Sequence, residues 1–515
     1  MILGDMLRRN AALFGDVPAI VFEGREITHA ALLERVLRLG AALRARGVQR
    51  GDRLAVLSTN CPAYFDIYGA CEEAGFIGVG LNYRLSADEL QSIYNDAGPA
   101  VLFYESNFAD VALALAKSTE GMLTYCLDSS EPTGYEALLA AAQPLANGPR
   151  AAESDTVFLF YTSGSTGQPK GVMLENGGQA KEYDCYAIDM KPRPSDRMLI
   201  VMPFFHCGGQ ILQTMYSWVG ATIVLHRNFN VLRIAESLRD DGVTVAHLAP
   251  VMIQQLVELL DAQPMQFPLL RTVQYASAPM SVTLLRRAIV HMGSIFSQSY
   301  GMTENGAGTY LDKEHHITDG TPEQTARLTS AGVPFTGTEL RIETSKGLQA
   351  KGTDIGEILV RAPGTMQGYW KNPHLTQETL RGSWLHTGDV GYIDADGFLF
   401  IVDRTKDMII SGGENIYSRE VEEALVSHSA VAQAVVIGVP DEKWGESVKA
   451  FVILRAASFV SEAELIDHVR NQISSYKKPR TVHFVEKFPC LTSTNKVDKK
   501  ALRAPYWKNH GRNVA

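Results

Sequence analysis

A glycine- and hydroxyl-rich loop at residues 161–171 carries the residue types most suited to chemistry. It reads Tyr-Thr-Ser-Gly-Ser-Thr-Gly-Gln-Pro-Lys-Gly and directly follows an apolar run at residues 157–160. Such a loop offers backbone N–H groups, hydroxyls and the Lys170 ammonium to one partner, and a polyphosphate matches that set. A Walker loop is excluded, because Gly167 lies three residues before Lys170 and Gly171 follows it. The sequence therefore predicts a nucleotide phosphate site of another kind.

Seven further segments follow this loop, and their order along the chain adds to what each segment shows alone. With the loop, they resemble the motifs of the adenylate-forming superfamily, which comprises acyl- and aryl-CoA synthetases, peptide-synthetase adenylation domains and firefly-type luciferases. The resemblance extends to residue 503 and is greatest to acyl- or aryl-acid CoA ligases. The segments are residues 202–206, 276–279, 298–304, 384–389, 403–407, 411–415 and 494–496.

The resemblance implies which residues bind ATP. Thr303 hydrogen-bonds the α-phosphate, Glu304 binds Mg²⁺, and Tyr300 stacks on adenine. Asp389 accepts hydrogen bonds from the ribose hydroxyls, and Arg404 also contacts the ribose. The other expected ATP or AMP contacts are Thr162, Ser163, Gly164, Ser165, Thr166, Gly167, Lys170, Ala278, Pro279, Gln298, Ser299, Gly301 and Met302.

The residue types suit adenylation on physical grounds. A carboxylate and ATP are both anions, so attack on the α-phosphorus requires its charge to be spread over donors and cations. An acid such as Glu304 is useful beside a phosphate only with Mg²⁺ between them. Lys496 is a compact positive charge that can bridge the incoming carboxylate and the phosphate, and we expect it to be catalytic.

His206 is implied to lie beside the carboxylate of the acid substrate. Peptide-synthetase domains have an aspartate at the matching place, so an α-amino acid is disfavoured here. Several glycines imply room in the acid pocket, and few charges imply an apolar tail. An aryl acid, an aryl-alkenoic acid such as a cinnamate, or a medium to long fatty acid would fit. The expected pocket residues are His206, Gly208, Gly209, Val251, Ala276, Asn305 and Gly306.

The resemblance also implies a two-step reaction with a domain rotation between the steps. The carboxylate and ATP first give acyl-AMP and pyrophosphate, and coenzyme A then gives acyl-CoA and AMP. The expected N-terminal domain spans residues 1–403 and the C-terminal domain residues 404–515, with the hinge at Lys406. The rotation would withdraw the catalytic Lys496 and bring the loop Ser411, Gly412 and Gly413 to the site for coenzyme A.

Three departures from the family pattern stand out. Asn495 replaces the usual glycine before Lys496, and asparagine is the next most tolerant residue of a left-handed turn. Residues 175–178 replace a threonine–histidine pair after the phosphate loop, and Ala276-Ser277 replaces two common glycines. We expect none of these changes to abolish activity.

These segments need a layered scaffold to bring them together, and the sequence predicts α/β architecture. Residues 30–47 have apolar residues at helical spacing, with Gly47 as a stop signal, and short apolar strands follow at residues 53–57 and 101–104. We expect a large N-terminal domain of two α/β subdomains plus a β-rich subdomain, and a small mobile α+β C-terminal domain. The β-rich strands are predicted at residues 340–343, 356–361, 391–394 and 398–402, and the C-terminal strands at 434–437 and 450–454.

Composition limits the partners and the compartment. The net charge is −9, which argues against nucleic acid. The six cysteines are scattered, which favours a reducing compartment over a disulfide framework or a zinc site. No apolar run approaches the roughly 20 residues of a membrane span, and Asp5 lies where a signal peptide has bases. We predict a cytoplasmic monomer or homodimer.

Three alternatives stay open from the sequence. A stand-alone adenylase would load a carrier protein instead of coenzyme A, although no carrier domain is attached. A luciferase-like oxygenase has no specific support. A non-catalytic paralogue would be a binding module, but it is expected to have lost Glu304, Asp389 or Lys496, and all three are present.

Overall fold

The computed structural model describes residues 1–145, 147–163, 169–278, 280–344, 346–412, 414–490 and 497–508. The chain forms two compact units. The first consists of Met1–Leu340 and Val360–Leu385, and the second of Arg341–Leu359 and His386–Ala515. The sequence predicts a different division, between an N-terminal domain that ends at residue 403 and a C-terminal domain that rotates about a hinge. That division stays a prediction.

The strands in chain order are β1 (Pro18–Phe22), β2 (Arg25–Thr28), β3 (Arg53–Leu57), β4 (Ile77–Gly80), β5 (Val101–Tyr104), β6 (Leu123–Cys126), β7 (Thr156–Ser163), β8 (Pro169–Glu175), β9 (Arg197–Ile200), β10 (Thr222–Leu225), β11 (Val245–His247), β12 (Thr272–Tyr275), β13 (Phe296–Met302), β14 (Gly306–Leu311), β15 (Val333–Pro334), β16 (Glu339–Glu343), β17 (Gly356–Arg361), β18 (Gly368–Tyr369), β19 (Leu380–Arg381), β20 (Trp384–Ile393), β21 (Leu399–Arg404), β22 (Ile409–Ser411), β23 (Glu414–Ile416), β24 (Val431–Asp441), β25 (Gly445–Leu454) and β26 (Thr481–Phe484).

The helices in chain order are α1 (Leu3–Leu13), α2 (His29–Ala45), α3 (Ala63–Ala74), α4 (Ala87–Ala97), α5 (Ala109–Ala116), α6 (Tyr135–Ala140), α7 (Asn176–Met190), α8 (Cys207–Ser217), α9 (Val231–Asp240), α10 (Pro250–Ala262), α11 (Val282–Met292), α12 (Pro322–Ala326), α13 (Pro373–Thr379), α14 (Ser418–Val426), α15 (Glu462–Gln472) and α16 (Lys499–Trp507). Within the described residues, no helix is both long and apolar enough to cross a bilayer.

The larger sheet of the first unit has the strand order β15-β14-β13-β12-β11-β9-β10-β1-β2. Its interior strands are parallel, and antiparallel strands close both edges. Successive residues of β9 belong to different buried clusters: Met198 and Ile200 to one, Leu199 to the other. Both faces of the sheet are therefore covered, which explains why its strands read as continuous apolar runs.

The second sheet of this unit has the order β18-β8-β7-β4-β3-β5-β6. Strands β3 and β5 have the bounds that the sequence predicts, because each is a short apolar run buried on both faces. Helix α2 begins at His29 and ends at Ala45, and Gly47 follows in a left-handed conformation with φ of 88°. The predicted amphipathic helix is confirmed, two residues shorter at its end.

A third sheet has the order β16-β17-β20-β19, and β21 pairs with β20. Strand β17 matches the prediction, but the predicted strand at residues 391–394 is wrong in its start, since β20 begins at Trp384. The polar and glycine residues at 386–389 interrupt the apolar pattern after Trp384 and Leu385, yet the backbone stays extended, and these two residues pair with β19. The same holds for β24 and β25, whose polar ends extend a long antiparallel hairpin beyond the predicted apolar cores.

The C-terminal part of the second unit is α+β, as predicted. Its sheet has the order β23-β22-β25-β24, with β26 parallel to β25. Helices α14 and α15 supply Val421, Leu425, Leu465 and Val469 to the core beside this sheet. The fold class, α/β with a large N-terminal and a small C-terminal domain, is confirmed.

Candidate active site

The predicted phosphate loop connects strands β7 and β8, which pair antiparallel. Thr162 lies opposite Lys170 in this pair, so the two ends of the loop are held side by side by the backbone ladder. Ser163 is the last residue of β7. The remaining predicted loop contacts lie outside the described residues, and they are Gly164, Ser165, Thr166 and Gly167.

Lys170 and Glu304 are linked through Tyr369, which the sequence analysis missed. The Nζ of Lys170 lies 5.5 Å from the centroid of the Tyr369 ring. The Tyr369 hydroxyl donates a hydrogen bond of 2.8 Å to Oε1 of Glu304. Burial, and next the charge of Glu304, raise the pKa of Tyr369 well above its ordinary value, so the phenol keeps the proton that it donates.

Thr303, Glu304 and Asn305 form the tip of the hairpin between β13 and β14, where Met302 pairs with Gly306. All three side chains of the tip are more than nine-tenths buried. The Oδ1 of Asn305 accepts a hydrogen bond of 3.0 Å from the backbone N–H of Met302, which closes the turn. The hairpin thus fixes a hydroxyl and a carboxylate next to each other.

His206 lies at the start of helix α8. Its Nδ1 accepts a hydrogen bond of 3.0 Å from the backbone N–H of Gly208, so the neutral ring carries its proton on Nε2. The Sγ of the next residue, Cys207, lies 3.1 Å from Oγ1 of Thr303. The start of α8 therefore contacts the hairpin tip, and a helix N-terminus favours a negative charge nearby.

The predicted acid-pocket residues follow the carboxyl ends of neighbouring strands. Val251 follows β11, Ala276 follows β12, and Asn305 and Gly306 follow β13. In a parallel sheet these ends share one edge, where ligands bind. Gly208 and Gly209 lie in the first turn of α8. Val251 is 54% exposed, which makes it the most open of the set.

Gly306 has a backbone reason to be glycine. Its φ is 64°, and a Cβ atom there would lie 2.6 Å from Oε1 of Glu182 and 2.8 Å from the Tyr186 hydroxyl. The Glu182 carboxyl is buried, and burial raises its pKa to about 8. The absence of a side chain at Gly306 therefore makes room for the buried Glu182.

The adenine-side residues lie on or beside β13. Gln298, Ser299, Tyr300, Gly301 and Met302 are all on this strand. The Oε1 of Gln298 accepts a hydrogen bond of 3.2 Å from the hydroxyl of Tyr275 on β12. This contact fixes the Gln298 side chain against the neighbouring strand.

The adenine loop itself follows β12. Ser277 has a φ of 72°, a left-handed conformation that glycine adopts without strain. The departure noted in the sequence therefore places a side chain where the backbone favours glycine. Ala278 is exposed, and Pro279 lies outside the described residues.

Within the second unit, Asp389 and Arg404 face each other across β20 and β21. The Nε of Arg404 lies 3.1 Å from Oδ1 of Asp389, whose side chain is 8% exposed. The backbone N–H of Asp389 donates to Oγ1 of Thr387, and that hydroxyl donates to the carbonyl of Ile358. The Asp389 carboxylate is thus held at a fixed place on the sheet.

The predicted hinge follows this pair. The carbonyl of Lys406 accepts a hydrogen bond of 2.9 Å from Arg503, which also forms an ion pair of 3.0 Å with Asp407. Helix α16 therefore anchors the segment directly after Arg404 within the second unit.

The predicted coenzyme A loop lies between β22 and β23. Gly412 has a φ of 62°, its N–H donates to the carbonyl of Trp444 at 2.8 Å, and a Cβ atom there would lie 2.7 Å from the Trp444 ring. Ser411 ends β22, and Gly413 lies outside the described residues. Lys496 also lies outside them.

A model of the AMP-binding enzyme family matches residues 7–370, and a model of the AMP-binding enzyme C-terminal domain matches residues 420–496. The chain belongs to the AMP-binding enzyme family. This AMP-binding enzyme is 36% identical over 504 residues to feruloyl-CoA synthase from Amycolatopsis sp, covering 97% of this chain and 98% of that protein.

Two further relatives share nearly the whole chain. A medium/long-chain-fatty-acid–CoA ligase from Mycobacterium tuberculosis is 32% identical over 516 residues, covering 96% of this chain and 89% of that protein. The solved structure of o-succinylbenzoate CoA synthetase from Bacillus subtilis, in complex with its acyl-adenylate intermediate, has a TM-score of 0.84 and 31% identity. It covers 96% of this chain and 97% of that one.

These likenesses confirm the predicted superfamily and the reaction class. The AMP-binding enzyme is an AMP-forming acid–thiol ligase that uses ATP, and coenzyme A is supported as acceptor over a carrier protein. The roles of its individual residues and the identity of its acid stay predictions.

Proposed function

We propose that this enzyme joins an aryl or aryl-alkenoic acid to coenzyme A through an acyl-adenylate. One observation carries the proposal: a continuous series of contacts runs from Lys170 through Tyr369 to Glu304, and from the adjacent Thr303 through Cys207 to His206. The series brings a cation, a carboxylate, a hydroxyl and an imidazole together, which are the groups that adenylation requires.

The relatives support an aromatic acid, and they also give a second candidate. One relative is named for feruloyl-CoA and one solved structure for o-succinylbenzoate, both aromatic acids. Another is named for medium and long fatty acids, so a fatty acid is the second candidate. The half-buried Ala276 has a small side chain, which suits either tail.

In the first step, the carboxylate attacks the α-phosphorus and pyrophosphate leaves. We assign Lys170, with Thr162 and the loop hydroxyls, to the departing β- and γ-phosphates. Thr303 donates to an α-phosphate oxygen, where negative charge develops. Lys496 bridges the carboxylate and the α-phosphate, and its compact charge reduces their repulsion.

The residues present fit a magnesium ion at Glu304. Its buried carboxylate is oriented by the Tyr369 hydroxyl and adjoins the Thr303 hydroxyl, which provides hard oxygen atoms beside the place of the phosphates. When bound, Mg²⁺ neutralises phosphate charge. Tyr369 is then a positioning residue, because it holds the carboxylate that receives the ion.

His206 binds the carboxylate of the acid in this account. Its Nδ1 is occupied by the Gly208 N–H, so Nε2–H is the donor that faces a substrate oxygen. The positive end of α8 adds to the attraction. The acid then extends beside the expected pocket residues, which are Gly208, Gly209, Val251, Ala276, Asn305 and Gly306.

We assign the adenine to Tyr300 and the ribose hydroxyls to Asp389 and Arg404. A carboxylate serves the ribose well, since it accepts from a diol but repels phosphate. The remaining nucleotide contacts are Gln298, Ser299, Gly301, Met302, Ala278 and Pro279.

We assign the second step to a rotated arrangement of a domain comprising residues 404–515. The boundary falls between the two family matches, which end at residue 370 and begin at residue 420. Rotation about Lys406 withdraws Lys496 and presents Ser411, Gly412 and Gly413 to the acyl-adenylate. The coenzyme A thiol then attacks the acyl carbon, and AMP leaves.

We infer that the enzyme acts in the cytoplasm as a monomer or homodimer. The six cysteines are all free thiols, and three of them are buried. Burial raises the pKa of Cys61 to about 11, so its thiol is unreactive. Such thiols suit a reducing compartment.

The experiment that tests the proposed function is AMP and pyrophosphate release from ATP with a panel of aryl, aryl-alkenoic and fatty acids. Each acid is tested with and without coenzyme A, and without magnesium as a control. We expect acid-dependent AMP formation that requires magnesium and is accelerated by coenzyme A. Absence of both products with every acid would refute the function.

A further inference from the structure

Three polar side chains occupy one row across the larger sheet of the first unit. His247 on β11 is aligned with Gln274 on β12, and Gln274 is aligned with Ser297 on β13. Residues aligned on parallel strands point to the same face of a sheet. The Nε2 of Gln274 donates a hydrogen bond of 3.2 Å to the Tyr216 hydroxyl of helix α8. The row therefore faces the helix that begins after His206.

The row is buried and its hydrogen-bonding capacity is largely unused. His247 is 0%, Gln274 3% and Ser297 2% exposed. Among the residues that the structure describes, no partner lies within hydrogen-bond distance of either ring nitrogen of His247, of Oε1 of Gln274, or of Oγ of Ser297. Each buried polar atom without a partner costs about 1–3 kcal/mol, and interiors rarely leave several together. The row is therefore built for a partner from outside the chain.

The row lies directly below the predicted substrate pocket. Ala276 and Ser299, both half-buried, are two residues further along the chain than Gln274 and Ser297. At about 3.3 Å per strand residue, the row is roughly 7 Å deeper than these small residues. The row thus lies further from the carboxyl ends of these strands than the expected pocket residues do.

We propose that His247, Gln274 and Ser297 bind a hydroxyl group at the far end of the acid substrate, such as the phenol of an aryl-alkenoic acid. This inference rests on the proposed function and narrows its substrate class. The tail of the acid is then not wholly apolar, in contrast to the sequence-based expectation for the pocket.

The chemistry of the row selects a hydroxyl over other polar groups. Oε1 of Gln274 needs a donor, whereas the imidazole and the serine hydroxyl offer both donors and acceptors. A hydroxyl donates and accepts, but a carbonyl or an ether only accepts and leaves Gln274 without a partner. Burial lowers the pKa of His247 to about 3, so the ring is neutral and offers no charge to a second carboxylate.

The test compares matched acids that differ only in the terminal hydroxyl. The pairs are para-hydroxycinnamate with cinnamate, and omega-hydroxydecanoate with decanoate, each assayed for AMP formation with ATP and coenzyme A. The productive pair is the one whose acids give AMP. For this pair, we expect kcat/KM of the hydroxylated acid to exceed that of the acid without the hydroxyl by about a hundredfold or more, since a site built for a hydroxyl rejects the analogue without it.

Two variants connect this preference to the row. Gln274→Met and Ser297→Ala keep side-chain size but remove the hydrogen bonds. In each variant we expect the ratio of kcat/KM for the hydroxylated acid to kcat/KM for its partner to fall at least about tenfold. The value of kcat/KM for the acid without the hydroxyl should be retained. Gln213→Met is the matched control, because Gln213 is a buried glutamine whose bonds are to Thr214 and Ser217 of its own helix.

Equal kcat/KM for both members of the productive pair would overturn the inference, and so would an unchanged preference in both variants. Thermal unfolding identifies a variant that fails to fold. In that case the comparison of the paired acids with the wild-type enzyme decides the inference. If none of these acids nor any other acid of the panel yields AMP, the proposed function itself fails, which is a distinct result.

Discussion

The Tyr369 hydroxyl donates a hydrogen bond of 2.8 Å to the carboxylate of Glu304. The two residues are 65 positions apart. Tyr369 lies on β18, which pairs with β8, the strand that also carries Lys170, and the backbone N–H of the nearby Met366 donates to the Glu304 carbonyl at 2.8 Å. The strand that ends the phosphate loop therefore positions the residue that orients the expected magnesium ligand. The residues assigned to leaving-group binding and to metal binding therefore share one structural support.

Tyr369→Phe removes the hydroxyl and leaves the ring beside Lys170. We expect the magnesium concentration for half-maximal adenylation to rise about 10- to 100-fold, because loss of a partner that orients a metal ligand typically has that effect. The measurement is pyrophosphate release against magnesium concentration. Tyr310→Phe is the control, since the Tyr310 ring stacks on Phe335 and is outside the proposed site. An unchanged magnesium requirement would contradict the role of Tyr369.

Asp389→Asn tests the ribose contact. The wild-type enzyme should prefer ATP to a deoxyribose analogue lacking one of the ribose hydroxyls, because a hydrogen bond to a charged group is worth about 1.5–3 kcal/mol. In the variant we expect KM for ATP to rise by roughly tenfold or more and the preference over the analogue to shrink. Asp396→Asn, in an exposed turn of the same unit, should change neither value. If Asp389→Asn still distinguished ATP from the deoxyribose analogue as well as the wild-type enzyme does, the ribose would have to bind to other residues.

Lys496→Ala should separate the two half-reactions. We expect adenylation to slow by about a hundredfold or more, since the variant loses a preorganised positive charge at the reacting phosphate. Thioester formation from synthetic acyl-AMP and coenzyme A should be largely retained, because the lysine is withdrawn in that step. Lys500→Ala, from the same basic run, is the control. Equal loss of both half-reactions would refute the assigned role and the rotation that depends on it.

Glu182→Gln should flatten the pH dependence of stability. Burial raises the pKa of Glu182 from 4.5 to about 8, so the folded state holds a proton that the unfolded state loses between these pH values. The free energy of unfolding therefore falls as pH rises through that window, by up to about 1.4 kcal/mol per pH unit. Glutamine does not titrate, so the contribution of residue 182 to the slope of unfolding free energy against pH disappears in the variant.

The measurement is urea-induced unfolding from pH 4.5 to pH 8. The exposed Glu258→Gln on α10 serves as control and should keep the wild-type slope. Glu72, whose pKa is also raised to about 8 by burial, leaves a residual slope in the Glu182 variant. An identical slope in wild type and Glu182→Gln would show that Glu182 is ionised in the fold.

The sequence predicts the parts of the fold that local patterns encode. Strands β3 and β5 are apolar runs between turn signals, and they begin and end as expected. Strand β20 begins earlier than expected because residues 386–389 interrupt the apolar pattern, whereas Trp384 and Leu385 before them pair with β19, which no local pattern reveals. The loop expected at residues 161–171 is shorter than the sequence indicates, since β7 extends to Ser163 and β8 begins at Pro169.

The contacts of the candidate site were less accessible to sequence reasoning. Tyr369 lies in an ordinary aromatic segment, and it reaches Glu304 through long-range contacts, namely the pairing of β18 with β8 and the hydrogen bond from Met366 to the Glu304 carbonyl. The row gives a weak signal, since His247 and Gln274 are polar residues near the ends of short strands and Ser297 is the second residue of the largely polar β13. Their alignment depends on the strand order and register, which the sequence does not encode locally.

The central claim is that the acid is activated by attack of its carboxylate on the α-phosphorus of ATP. The most direct measurement uses an acid whose carboxylate oxygens carry a heavy oxygen isotope, with mass spectrometry of the products after turnover with coenzyme A. The account predicts one labelled oxygen in AMP and one in the thioester carbonyl. Unlabelled AMP, with the label in pyrophosphate or phosphate, would contradict it.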